Sequence, residues 1–311
     1  MDIKFEHKPV MLNEVLSGLN INPDGIYIDC TLGGGGHSER ILEKLSANGM
    51  LIGLDKDQDA LDYTNNRLKH FPNLKTFHTD FKAVEDVVDY LELQGIDGVL
   101  LDLGVSSYQL DTPHRGFSFR FDSPLDMRMD KTQKLTAYDI VNTYTYEQLV
   151  KILFEYGEEE FAKQIAKNII TKRQEEPIKT TKQLCDIIES SMPKKVAFKR
   201  GGAHKKTFQA IRIEVNHELD ILENALRDAF ELLNVGGRLS VISFHSLEDK
   251  IVSKVFKDLC SDDESARKLP ITPEHLKARA KKIIKITPSE KELDDNNRSR
   301  SSKLRVIERV R

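Results

Sequence analysis

Cysteine is scarce in this chain. Three occur in 311 residues, Cys30, Cys185 and Cys260, far apart and never in a CxxC spacing. That argues against a disulfide framework and against structural zinc, and it fits a reducing cytoplasm. Long apolar runs are missing too. No stretch of 18 apolar residues is present, which leaves no membrane span. The opening Met-Asp-Ile-Lys-Phe-Glu-His has no apolar secretion signal, and the expected location is cytoplasmic. A surplus of one charge is also lacking, because the net charge is only −3. Basic residues are instead gathered locally. Lys194 to Lys206 holds six without an acid, Lys277 to Lys285 holds five, and the last fourteen residues hold six. Each run alone reads equally well as solvated surface, but three together favour contact with a polyanion.

What is present is the composition of a soluble globular protein, with 39% hydrophobic and 31% charged residues. Tyr27-Ile28-Asp29-Cys30-Thr31-Leu32 leads into Gly33-Gly34-Gly35-Gly36-His37-Ser38, a strand, a tight glycine turn and a helix start. Chain without Cβ atoms lets a ligand come close to the backbone. A second apolar strand, Met50 to Leu54, ends in Asp55, where nucleotide-binding βαβ units place an acid for ribose hydroxyls. Further strands end near Asp80 and Asp102. Acids at the carboxyl ends of several apolar strands fit a parallel sheet covered on both faces, with its ligand at that edge.

Asp29 at the strand end would repel a pyrophosphate but suits an ammonium or a sulfonium. Thr79-Asp80-Phe81 offers an acid and a ring for adenine. Both tilt the ligand from NAD towards S-adenosylmethionine. Gln109 is set either to bond a ligand or to satisfy its own loop, and Ser106 and Ser107 read as turn residues. Phe117, Phe119 and Phe121, interleaved with Arg115 and Arg120, read either as a hairpin edge on the core or as a base-stacking surface. Thr145-x-x-Gln148 and Thr180-x-x-Gln183 have capping-box form, as do Ser246 and Asp249. His245, just before that third box, faces the same sheet end and is a candidate active-site residue. One long amphipathic helix is expected over about 207–233, stopped by Gly236-Gly237, with a strand over 238–244 following.

Several longer strings carry a resemblance. They are His7-Lys-Pro-Val-Met-Leu-Asn-Glu14, Tyr27 to His37, Leu101-Asp-Leu-Gly-Val-Ser-Ser107 with Gln109-Leu-Asp111, and Arg115-Gly-Phe-Ser-Phe119. Leu125-Asp-Met-Arg-Met-Asp130, Thr207-Phe-Gln-Ala-Ile-Arg212, Ile242 to Asp249 and Asn297 to Arg305 continue it over nearly the whole chain. In these the chain resembles the bacterial 16S ribosomal RNA cytosine-N4 methyltransferases, the MraW/RsmH family.

The resemblance implies a class I, Rossmann-like methyltransferase sheet with an inserted small helical subdomain. The expected division is 1–108 and 207–311 for the methyltransferase domain, with 109–206 as a binding loop and RNA-recognition subdomain. It implies S-adenosylmethionine as donor, and as acceptor the N4 amine of a cytidine in the decoding region of 16S rRNA in the small ribosomal subunit. Gly34, Gly35, Gly36, His37, Asp55, Phe81, Asp102 and Gln109 would contact the cofactor. Asp102 and His245 are the catalytic candidates, and no metal is expected. The Pro-Pro-aromatic motif of many amino-methyltransferases is absent after Asp102, which leaves open what holds the target amine. A non-catalytic RNA-binding assembly factor and an NAD-dependent oxidoreductase remain as other readings.

Overall fold

The computed structural model describes residues 9–194, 204–268 and 270–311. Lys195, Lys199 and Arg200 of the first basic run lie outside the described residues, as do His7 and Lys8. The chain divides into two compact units, residues 1–104 with 219–311 and residues 105–218.

The first unit alternates helix and strand: α1 (Leu12–Leu19), β1 (Ile26–Asp29), α2 (Gly36–Leu42), β2 (Met50–Asp55), α3 (Gln58–Arg67), β3 (Leu74–His78), α4 (Val84–Tyr90) and β4 (Ile96–Asp102). The second unit is helical, with α5 (Ser107–Asp111), α6 (Ala137–Thr143), α7 (Tyr146–Glu155), α8 (Ala162–Glu175), α9 (Thr181–Ser190) and α10 (Lys205–Asn216). The first unit then resumes with α11 (Leu222–Glu231), β5 (Leu233–Ser243), α12 (Ser246–Leu259), β6 (Ala280–Ile286), α13 (Glu290–Asp295) and β7 (Lys303–Arg309).

Among the described residues the strands form one seven-stranded sheet in the order β3-β2-β1-β4-β5-β7-β6. The first five are parallel, and β7 runs antiparallel to both β5 and β6. Period-two alternation sends apolar side chains to two cores. Ile28, Ile52, Leu54, Val99, Leu101, Leu239, Val241 and Ile307 face one, packed with residues of α4, α11 and α12. Tyr27, Leu51, Leu100, Ile242, Leu304 and Val306 face the other, packed with residues of α1 and α2. Burial on both faces explains the continuous apolar strands in the sequence.

The strand order reverses beside β1, where the chain leaves in opposite directions to β2 and β4. A crevice outside the carboxyl ends of β1 and β4 is therefore built in.

The helical unit has its own core, which includes Phe117, Leu125, Met127, Ile140, Leu153, Ile165, Ile188, Phe208 and Ile211. Two of its helices start where the sequence says they should. Thr145 with Gln148 and Thr180 with Gln183 form complete capping boxes at α7 and α9.

Three local expectations change. The helix expected over 207–233 is two helices, because His217 takes a left-handed conformation (φ 51°) after Asn216. Its first half, α10, carries Phe208, Ala210, Ile211 and Val215 into the helical core, and so belongs with the second unit. Strand β5 starts at Leu233, ahead of the glycines, and an irregularity in its pairing with β4 absorbs Asn234 to Gly237. Residues 117–121 form no strand. Phe117 is buried in the helical core, while Phe119 and Phe121 are 36% and 40% exposed.

Candidate active site

The glycine turn joins β1 to α2 and is held from several sides. Gly33 donates its N–H to Asp55 Oδ2 (2.7 Å), and its carbonyl accepts from Thr64 Oγ1 (2.8 Å). Arg67 donates to the Gly34 carbonyl and pairs with Glu39. Gly35 sits at φ 72°, and a Cβ there would lie 2.7 Å from Thr64 Cγ2. A Cβ on Gly36 would lie 2.5 Å from Pro9 Cγ. Only glycine meets both demands, left-handed backbone and absence of a side chain. The turn is packed so closely against Thr64, Leu68 and Pro9 that neither residue has room for a side chain.

Three strand-end acids adjoin the turn, each fixed differently. Asp29 is buried and accepts from Thr31 N (3.1 Å) and Ser38 Oγ (2.7 Å). The Thr31 hydroxyl in turn accepts from the Asp102 backbone N–H (2.7 Å), which ties β1 to the end of β4. Asp55 uses both oxygens on backbone, Gly33 N–H and Asp57 N–H. Burial pushes the Asp55 carboxyl up to about 6. Burial likewise raises Asp29, and lifts Asp102 well above the ordinary carboxylate range, with the charges of Asp29 and Glu248 adding to the effect.

Asp102 differs from its neighbours in being under-used. Its Oδ2 lies 3.6 Å from His37 Nδ1, and its Oδ1 is shielded from solvent with no hydrogen-bond partner among the described residues. Unpaired buried carboxylate oxygens are rare because each costs about 1–3 kcal/mol of desolvation. Among the described residues at these strand ends, this atom is left without an N–H or a cation.

His37 bonds the Val10 carbonyl through Nε2 (2.9 Å), and burial lowers its pKa to about 4, so the ring is neutral near pH 7. Asp80 caps the short turn Phe81–Ala83 by accepting from Lys82 N–H, and pairs with Lys56 (3.3 Å). Phe81 is half-buried against the core that holds α4.

His245 is placed differently from the expectation. It is itself the N-cap of α12, and the capping box is His245 with Glu248, not Ser246 with Asp249. Its Nδ1 accepts from Glu248 N–H (3.4 Å) and its Nε2 lies 3.1 Å from Glu248 Oε1. Nδ1 is thus used on the Glu248 backbone, while Nε2 is shielded and makes no hydrogen bond among the described residues despite its approach to Oε1. Glu248 also accepts from the Phe244 N–H through Oε2 (2.7 Å). Sequence reasoning missed Glu248, although a buried acid three residues after a cap position has the capping-box signature. Asp249 instead pairs with Lys303 and Arg305.

Gln109 belongs to the second unit. Its Oε1 accepts from the Ser106 N–H (3.0 Å) in the capping box that starts α5. The carbonyl of this side chain thus satisfies its own loop, one of the two roles the sequence allowed.

The two C-terminal basic runs are largely neutralised within the fold. Lys277 and Arg311 pair with Glu274, Arg279 with Glu231, and Lys281 with Glu308. A run dense in positive charge on paper therefore presents far less of it on the surface. Cys30 and Cys185 are buried free thiols, and Cys260 is a half-buried one.

Against this geometry stand the comparisons with known proteins. A putative rRNA-methylase from Clostridium thermocellum is similar over 98% of each chain, with 11% identity and a TM-score of 0.47. A putative methyltransferase from Streptococcus mutans in complex with SAH is similar over 97% of this chain and 99% of that one, with 12% identity and a TM-score of 0.42. An rRNA methylase from Streptococcus thermophilus covers 96% of this chain and 94% of its own, with 12% identity and a TM-score of 0.38. The sequence itself is far more specific. Residues 4–310 match the MraW methylase family, and the fold they make is a seven-stranded α/β sheet. The chain belongs to the MraW methylase family.

Proposed function

We propose that this protein methylates the exocyclic N4 amine of a cytidine in the decoding region of 16S rRNA, within the small ribosomal subunit, using S-adenosylmethionine. The observation that carries the reading is the Asp102 carboxylate at the end of β4, with one shielded, unpartnered oxygen beside the glycine turn. The residues fit this donor. It carries an amine and a sulfonium but no phosphate, and Asp29, buried at the end of β1, would oppose a pyrophosphate. Gly34, Gly35, Gly36 and His37 supply the turn, Asp55 serves the ribose, Phe81 the adenine, and Gln109 the methionine end. When bound, the donor supplies an electrophilic methyl on positively charged sulfur.

The chain's own share is alignment. A cytosine N4 lone pair is delocalised into its ring, so the amine gains from an acceptor that holds one N–H and favours tetrahedral nitrogen. Asp102 is that acceptor in this reading. Holding nitrogen, methyl and sulfur in line is worth up to about 7–11 kcal/mol. As the methyl leaves sulfur for nitrogen the amine gives up one proton, to a carboxylate or to water, with His245, which also caps α12 through Glu248, the weaker candidate for acceptor. The target base has to be unstacked, as in other enzymes that act on bases, and unpaired rRNA makes that easier. The second unit and the 194–206 basic run are the RNA-holding parts, and Phe119 and Phe121 supply its exposed rings.

The test is transfer from labelled S-adenosylmethionine to small subunits lacking cytosine-N4 methylation, with nucleoside analysis. Labelled N4-methylcytidine is expected. Another methylated nucleoside would overturn the acceptor, and no donor binding would overturn the whole reading. Asp102→Ala is expected to lower turnover at saturating donor by about 100-fold or more, the scale of a lost oriented contact in the transition state; full turnover would remove Asp102 from the mechanism.

A further inference from the structure

We propose that Thr64 and Arg67, both on α3, are positioning residues for the donor. By holding two carbonyls of the glycine turn they aim the Gly34 N–H away from α3, towards an oxygen of bound S-adenosylmethionine. This rests on the donor reading above, and it adds two residues that touch the turn and not the ligand.

The turn from Leu32 to Gly35 is closed by the Gly35 N–H, which donates to the Leu32 carbonyl (2.8 Å). Its central peptide joins Gly33 to Gly34. Gly33 sits at φ 49°, and with glycine on both sides no Cβ decides which way that peptide plane turns. A group outside the turn has to decide it.

Thr64 is that group. It is fully buried, and its hydroxyl donates to the Gly33 carbonyl (2.8 Å). The peptide is trans, so its N–H points opposite to its carbonyl. With the Gly33 carbonyl turned onto α3, the Gly34 N–H is turned off it. Three residues along the helix, Arg67 donates to the Gly34 carbonyl and pairs with Glu39 of α2. The next peptide is thereby fixed as well, by Arg67 on its carbonyl and Leu32 on its N–H.

The backbone groups of Gly33 to Gly35 are otherwise taken. The Gly33 N–H goes to Asp55 and the Gly35 carbonyl to the Glu39 N–H. Among the described residues the Gly34 N–H alone of these groups has no hydrogen-bond partner, and Gly34 is only half-buried. A backbone donor left over in a turn that is held on every other side is a donor kept for a ligand.

Thr64 also packs on the turn, since its Cγ2 would lie 2.7 Å from a Cβ on Gly35. Hydroxyl and methyl can be separated. Thr64→Val keeps a methyl there and removes the hydroxyl, while Thr64→Ser keeps the hydroxyl and removes the methyl. Arg67→Met keeps the apolar stem and removes the guanidinium.

Binding of S-adenosylhomocysteine to the full chain is measured by calorimetry, and exchange of the Gly34 amide by NMR in the free and bound states. In the parent protein the ligand is expected to slow Gly34 exchange. Thr64→Val and Arg67→Met are each expected to bind about tenfold more weakly, the scale of one hydrogen bond, and to lose that slowing. Thr64→Ser is expected to bind like the parent. In turnover, Thr64→Val is expected to raise the KM for S-adenosylmethionine and to leave kcat nearly as it was.

The oxygen that meets Gly34 belongs either to the ligand's carboxylate or to its ribose. 5′-Methylthioadenosine keeps the ribose and lacks the carboxylate. A matching loss of its binding in Thr64→Val assigns the ribose, and no loss assigns the carboxylate. Unchanged S-adenosylhomocysteine binding in Thr64→Val and Arg67→Met overturns this inference alone. So does a Thr64→Ser variant as weak as Thr64→Val, which would leave Thr64 a packing residue only. Failure of the parent protein to bind overturns the donor reading with it.

Discussion

At the scale of single residues, burial drives His37 and Asp55 to the same uncharged state from opposite directions. The His37 value falls from 6.5 to about 4, and the Asp55 value rises from 3.8 to about 6. For His37 the unfolded chain binds the proton first, so stability is lost as pH falls from 6.5 towards 4. For Asp55 the folded chain binds first, so its contribution is complete below 3.8 and is lost as pH rises through about 6. The two nearly cancel in the intact protein. Removing one exposes the other. His37→Gln is expected to gain about 2 kcal/mol relative to the parent between about pH 7 and about pH 4.5. Denaturant unfolding at the two pH values reads this directly, and an equal difference at both would show that the ring titrates normally.

At the scale of elements, α4 ends in a tight two-bond cap. The Leu93 N–H bonds the Val88 carbonyl (3.1 Å) and the Glu92 N–H bonds the Asp89 carbonyl (2.9 Å). The residue between, Glu92, is forced to φ 54° and is exposed. This is the Schellman arrangement, in which glycine is favoured because a Cβ strains left-handed backbone by about 1–2 kcal/mol. Glu92→Gly is expected to stabilise the protein by about 1 kcal/mol, since relief of that strain outweighs the added freedom of the unfolded chain. Its midpoint in urea is the measurement, and a lower midpoint would deny the strain.

The same elements show what the sequence could reveal. Strands β1, β2 and β4 were legible because burial on two faces leaves unbroken apolar runs. The boxes at Thr145 and Thr180 were legible because capping needs only neighbours in sequence. Strands β6 and β7 were hidden, because an antiparallel pair with one charged face reads Lys-Leu-Arg-Val-Ile-Glu-Arg. Their charges read as a basic run, and only the fold shows that Glu308, Glu231 and Asp249 neutralise many of them. The split at His217 was equally silent, since amphipathic spacing continues on both sides of it. At the site, the acids were visible at their strand ends. Which of them is left without a partner depends on Thr31, Ser38 and Asp57, and no spacing rule encodes that.

At the scale of the whole molecule, the sheet unit is made of two stretches of chain separated by the helical unit. Strand β7 lies inside the sheet, paired along Lys303–Glu308 with β5 and along Leu304–Arg309 with β6. Its Leu304, Val306 and Ile307 are fully buried. During synthesis β5 therefore emerges with an open edge that stays open until about sixty more residues have been made, and β6 emerges with no parent strand to join. The helical unit, complete by residue 218, is free to fold while this edge waits. A chain ending before Lys303 is expected to keep the helical unit's hydrogen-exchange protection, to lose protection in β5, and to associate through the unpaired edge. Retained β5 protection in that shortened chain would mean the edge is covered by something other than β7. Strand β7 is thus the keystone of a sheet whose other strands are all made before it, and that sheet stays unfinished until β7 is in place.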